Sequence, residues 1–198
     1  MAKPGTSRWK LALTIVAGLA LGAGSAVWAT RASGMGGEDF DGWSGSRVTG
    51  SPDADPWLRA RVAFAGLLAL QRSQAIYFTA RADSEGQPLR EECRYRVSGG
   101  PIPGKWWSVT VYAADNYLPI NSDDALSFDA TEVKPDAAGN WTALAATRPE
   151  AGQPWVSTRG AGRFDMTLRI YQPDKSAQDD YGSIPMPKIS RLDCGGRA

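Results

Sequence analysis

The chain of 198 residues contains no histidine, only two cysteines and four methionines, and its 22 basic side chains nearly cancel its 21 acidic ones. Without histidine no Ser-His-Asp triad can be assembled, and a nucleophilic cysteine would lack its usual base. A zinc site would need ligands that the chain does not supply, so no metal or cofactor is expected. A balanced charge with no basic stripe gives no support to a nucleic-acid partner, because phosphate binding rests on a concentrated cationic face. No glycine-rich phosphate loop follows any candidate strand. Long apolar runs are missing as well, with one exception at the start of the chain.

That exception is Leu11 to Thr30, twenty residues without a charge, preceded by Lys3, Arg8 and Lys10 and bracketed by Trp9 and Trp28. It is long enough to cross a bilayer. At about 1.5 Å per helical residue the two indoles lie roughly one hydrocarbon thickness apart, so both can rest at headgroup level. The cationic flank places residues 1–10 in the cytoplasm and everything after Thr30 outside it. The expectation is a single-pass membrane protein, in contact with lipid through Leu11 to Thr30, with its C-terminal part exported. Val27-Trp28-Ala29 also offers small residues to a signal peptidase, but the apolar run exceeds the roughly 7–15 residues of a signal peptide, which favours an uncleaved anchor. The Gly18-x-x-x-Gly22 spacing is common in membrane helices and decides nothing.

In an oxidising compartment, Cys93 and Cys194 are expected to form a disulfide. Closing a loop of about a hundred residues would disfavour the unfolded chain by roughly 4 to 5 kcal/mol in the loop-entropy account.

Residues 31–54, rich in Gly, Ser and Asp, read as a tether on which Phe40 and Trp43 stand out as groups able to dock. Residues 55–198 then read as one domain. Asp55-Pro56 is an N-cap followed by a proline suited to the first helical position, opening a helix expected to run to about Gln71. Trp57, Ala60, Phe64, Leu67 and Leu68 share one face, while Val62, Ala65 and Leu70 make the remainder apolar, so this helix is expected to be buried against a sheet.

Beyond Ala75 the apolar period changes to two. Asp83-Ser84-Glu85-Gly86 marks a turn joining two extended runs as a hairpin. Cys93, Tyr95 and Val97 alternate with Arg94 and Arg96. Trp107, Val109 and Val111 form a core set opposite Trp106, Ser108, Thr110 and Tyr112. Residues 93–112 are expected to form a further hairpin, stapled by Cys93. In the run 163–173, Phe164, Met166, Leu168 and Ile170 alternate with Arg163, Asp165, Thr167 and Arg169. Many short strands with regular turns predict a mostly β, jelly-roll-like sandwich with one packed helix, preceded by the transmembrane helix.

Four blocks resemble a known family in content and order: the alanine-rich helix beginning "DPWLRARVAFAGLLALQR", the hairpin "IYFTARADSEGQPLREECRYRVSG", the aromatic strand "WWSVTVYAADNYLPIN", and "LRIYQPD" followed by "IPMPKISRLDC". Together they resemble the bacterial domain of unknown function 1214, over roughly Gly50 to Cys194, in a short, membrane-anchored form. The resemblance implies a jelly-roll sandwich and no activity. Two departures stand out. Longer relatives pair this domain with another, the domain of unknown function 1254, for which 198 residues leave no room. The loop after Asn121 carries Ala125 and Leu126 where the family is associated with an Arg-Tyr pair.

Asp83, Glu85, Glu91, Glu92, Asp115, Asp123, Asp124 and Asp129 could in principle do acid/base work, but turn carboxylates mostly satisfy backbone donors. Asp123-Asp124 and Asp179-Asp180 lack the alternate spacing of a calcium loop. The candidate ligand surface is Trp106 and Tyr112, with Arg94 and Arg96 on a neighbouring strand, an arrangement suited to a sugar or an acidic polymer. With the bacterial family that it resembles, the expected function is that of an envelope protein anchored in the bacterial inner (cytoplasmic) membrane, its C-terminal domain in the periplasm, with a structural or interaction role. Alternatives are a carbohydrate or small-ligand binding module and, third, a carboxylate-dependent hydrolase. Partners would be an envelope protein or a carbohydrate.

Overall fold

The computed structural model describes residues 8–32, 37–64 and 69–195. The chain is mostly β, in two sheets, with an apolar helix at its N-terminus. Helix α1 (Arg8–Ala32) carries an apolar stretch, Arg8–Ala29, that is almost all exposed. It is long and apolar enough to cross a membrane.

Among the described residues ten strands follow: β1 (Glu38–Phe40), β2 (Trp43–Gly45), β3 (Ala75–Ala80), β4 (Cys93–Gly99), β5 (Gly104–Ala113), β6 (Ser127–Asp129), β7 (Trp141–Ala146), β8 (Trp155–Ser157), β9 (Phe164–Pro173) and β10 (Lys188–Cys194). Helix α2 (Pro56–Phe64) precedes β3, and the short helix α3 (Lys175–Asp179) follows β9. The larger sheet has the order β1-β2-β3-β9-β5-β6, and the smaller one β10-β4-β7-β8. Pairing is antiparallel except between β7 and β8.

The alternation read from the sequence sets which side of each strand enters the core. Cys93, Tyr95, Val97, Trp107, Val109 and Val111 are all buried, as are Phe164, Met166, Leu168 and Ile170. The two sheets are clasped by aromatic side chains: Trp107 of β5 stacks on Trp141 of β7 at 4.5 Å between ring centroids, and Tyr95 of β4 meets the edge of Phe164 of β9 at 5.9 Å. Burial of such rings is the main source of sheet-to-sheet adhesion.

The pairing of the strands departs from expectation. The turn at Asp83 exists: Asp83 Oδ1 accepts from the Glu85 and Gln87 amides, and Gly86 adopts a φ of 78°. Its arms then diverge. After a single bridge between Ala82 and Pro88, β3 enters the larger sheet while β4 enters the smaller one. Likewise β4 and β5 are not a hairpin, because they face each other across the core from opposite sheets. A sandwich needs apolar faces on both layers, and sequence-adjacent strands can serve different layers as readily as the same one.

The tether expected over residues 31–54 gives way at Glu38 to a strand pair that extends the larger sheet. Trp43 is buried, its indole donating to the Pro187 carbonyl at 2.7 Å, so this segment belongs to the sandwich. The Cys93–Cys194 disulfide is formed, across directly paired positions of β4 and β10.

Helix α2 also differs from expectation. Asp55 caps it as foreseen, its Oδ1 accepting from the Trp57 and Leu58 amides. Residues 69–71 are not helical, and Ala65, Leu67 and Leu68 lie outside the described residues. The face expected to be buried is turned outward, with Trp57 51% and Phe64 82% exposed, while Leu58 points inward at 7%.

Candidate functional site

The outer face of the larger sheet is polar, and much of it is shielded from water. Register places Thr79, Thr167 and Thr110 in one row across β3, β9 and β5, and Tyr77, Arg169 and Ser108 in the next. Tyr171 and Trp106 form a third row, their rings 5.1 Å apart. Thr167 and Ser108 are buried although they face away from the core. Arg169 ties this face together. Its guanidinium donates to Thr110 Oγ1 at 3.0 Å and to the Tyr112 hydroxyl at 2.6 Å, and stands over the Tyr112 ring.

Asp165 sits at the same face, opposite Tyr112. Burial pushes its carboxyl up to about 6, against the opposing pull of Arg81 and Arg169. Arg81 approaches it only to 3.9 Å, too far to restore the hydration that burial removes. The Tyr77 phenol is also raised, chiefly by burial, and its oxygen accepts from the Leu70 amide.

Between this face and α2 lies a cavity of about 280 Å³, lined by Ser44, Arg61, Tyr77, Thr79, Arg81 and Thr167 among others. Arg61 comes from α2, the only basic residue in the helix's last turn. Its Nη1 is shut off from solvent and has no hydrogen-bond partner among the described residues. A buried guanidinium N–H without an acceptor is costly, and an anion is the partner that removes the cost. A second, shallower hollow of about 380 Å³ lies along the same face, where Trp106 and Tyr171 stand with Lys105 and Gln74.

The residues proposed from sequence do not come together. Trp106 and Tyr112 do lie on the outer face of β5, three rows apart, with Trp106 bordering the second hollow. Arg94 and Arg96 are on β4, in the opposite sheet, so they are not neighbours of β5. Arg94 is bonded to Asp193 at 2.9 Å and to Glu150, and Arg96 is exposed. The turn carboxylates hold backbone. Glu91 accepts from the Gly160 and Gly162 amides, Asp115 from Tyr117, and Asp129 from Thr131. Asp123 accepts from Ser157 and Arg159. Sequence reasoning missed Arg61 and Arg169. A signal for the second was present in the polar alternation of Asp165, Thr167 and Arg169, and for the first in a cation interrupting an apolar helix.

These features define a two-sheet β domain with a polar, cation-bearing outer face and an apolar N-terminal helix. The chain belongs to the family described as "Protein of unknown function (DUF1214)", whose model matches residues 74–175, just over half of its length. In fold it is similar to the VPA0106 protein from Vibrio parahaemolyticus, with a TM-score of 0.58 and 24% identity over 97% of this chain and 47% of that one. It thus spans about half the length of that protein. An uncharacterised protein from Burkholderia cenocepacia matches over 63% of this chain and 31% of its own, at 19% identity and a TM-score of 0.44. No curated protein matches the chain.

Proposed function

We propose that the protein is an envelope component of a bacterial cell: a jelly-roll-like sandwich tethered by α1 to the inner membrane, facing the periplasm, that holds a small acidic, hydroxyl-bearing ligand on the outer face of its larger sheet. The observation that carries the ligand reading is the unpaired Arg61 Nη1 inside a hydroxyl-lined cavity of about 280 Å³. A guanidinium fixes a carboxylate by charge and direction, while threonine and serine hydroxyls exchange hydrogen bonds with sugar hydroxyls. The volume is at the lower edge of ligand pockets and suits a single monosaccharide. A uronic acid combines both chemistries. The tether is supported by the length, apolarity and outward exposure of α1, and the periplasmic side by the cations that precede it and by the disulfide.

The test is calorimetric titration of the detergent-solubilised full chain with glucuronate, glucose and acetate. Glucuronate is expected to bind more tightly than either half-probe, and Arg61→Ala to weaken it at least about tenfold, the effect of losing one charge-assisted bond. Equal responses to glucuronate and glucose, or an unchanged Arg61→Ala, overturn the ligand reading.

A further inference from the structure

The exposed face of α2 offers a second surface. Trp57 and Phe64 are seven residues apart, which returns them to the same side of a helix, about 10 Å apart along its axis. Ala60 and Arg61 lie between them on that side, and the Arg61 side chain is drawn into the cavity lining, which leaves the two rings as the most exposed groups there. The helix holds no acidic residue, and its other arginine, Arg59, is drawn back onto the Ala54 and Pro52 carbonyls. Leu58, about 100° around the helix from Trp57, is its buried contribution to the domain. Two large aromatic rings on one short helix are thus left exposed.

Helix α1 touches α2, and Ala26 and Ala29 near the end of α1 are half-buried while residues 8–25 are exposed. Trp28, 71% exposed, stands at this same end. A bilayer crossed by α1 ends at this level, because an indole prefers the headgroup layer. The leaflet surface therefore lies at the level of α2.

We infer that α2 is an in-plane membrane helix that inserts Trp57 and Phe64 into the headgroup layer of the exported-side leaflet, laying the larger sheet toward the membrane. This rests on the reading of α1 as a span. Two aromatic rings about 10 Å apart on one face define a line parallel to the surface, so the domain is held by two contacts instead of swinging on one. The cavity beneath Arg61 then opens beside the headgroups. The outer face of the smaller sheet, with Thr142 exposed on it, looks away from the membrane.

The test uses the full chain in liposomes. Both native cysteines are in the disulfide, so one introduced cysteine can be labelled alone with an environment-sensitive fluorophore. Phe64→Cys, Leu19→Cys and Thr142→Cys each replace a side chain outside the core, and circular dichroism checks that each labelled protein is folded. With spin-labelled lipids as quenchers, the label at 64 is expected to be quenched about threefold more than that at 142, and best by lipids carrying the spin label near the headgroup. The label at 19 is expected to respond to deep spin labels. Quenching at 19 with 64 no higher than 142 overturns the inference and leaves the anchor standing, with a protein partner as the occupant of that face. No quenching at 19 overturns the anchor and the inference together.

Discussion

Two arginines on opposite sides of the sandwich show how differently its two outer faces are built. On the smaller sheet Arg94 of β4 is bonded to Asp193 and Glu150, beside the Cys93–Cys194 disulfide. Over the larger sheet Arg61 of α2 points a shielded N–H into a cavity with nothing described to receive it, and Asp165 is held in a place that disfavours its charge. Unsatisfied buried polar groups are scarce in folded proteins, and one that is aimed into a cavity marks a place suited to binding something else.

The largest expected effect separates the core from the open face. Trp107 and Trp106 are adjacent, yet the first is stacked on Trp141 in the core and the second lies outside with Tyr171. Trp107→Ala is expected to cost about 4 kcal/mol in urea unfolding, and Trp106→Ala about 1 kcal/mol. Similar costs would mean that the outer face is packed as tightly as the core, and the contrast between the faces would lose its basis.

On the smaller sheet, Cys93→Ser with Cys194→Ser is expected to lower stability by about 3 kcal/mol, read as a shift in urea midpoint that is absent when both forms are measured in reductant. Asp165 gives a smaller and pH-dependent effect on the larger sheet. Its folded carboxyl is raised to about 6 from an ordinary value of 3.8, so the folded state takes up its proton before the unfolded one does. The burial penalty is therefore fully present above about pH 6 and is relieved as pH falls through 6 toward 3.8. Asp165→Asn should be more stable than the parent by about 1–2 kcal/mol at neutral pH and no more stable near pH 4. A constant difference across that range would show that the carboxyl is not buried as described.

The smallest effect is expected at Arg94. Its ion pairs are at the surface, so Arg94→Ala should cost less than about 1 kcal/mol and leave glucuronate binding unchanged, in contrast to Arg61→Ala. Loss of binding in Arg94→Ala would move the ligand to the other sheet.

Part of the candidate site was legible beforehand. Asp165, Thr167 and Arg169 alternate with core residues, so their common side was fixed by the two-residue period of a strand. That Arg169 would reach Thr110 and Tyr112 was not legible, because it depends on β9 lying beside β5, fifty or more residues away. The same limit explains Arg94 and Arg96. They share a side of β4, as the period requires, but the sheet that β4 joins is a matter of backbone pairing, which does not depend on side-chain identity.

The sequence by itself determined the local facts: the faces of β4, β5 and β9, the cap at Asp55, the turn at Asp83, the length of α1 and the pairing of two lone cysteines. Each follows from a period, a short-range hydrogen bond or a count. The tertiary structure alone decided which strands became neighbours, that β1 and β2 extend the larger sheet, and which side of α2 turned outward. A helix apolar all round carries no local instruction about its orientation, and backbone hydrogen bonds are alike at every strand edge. Only the packing of the whole chain distinguishes the arrangements.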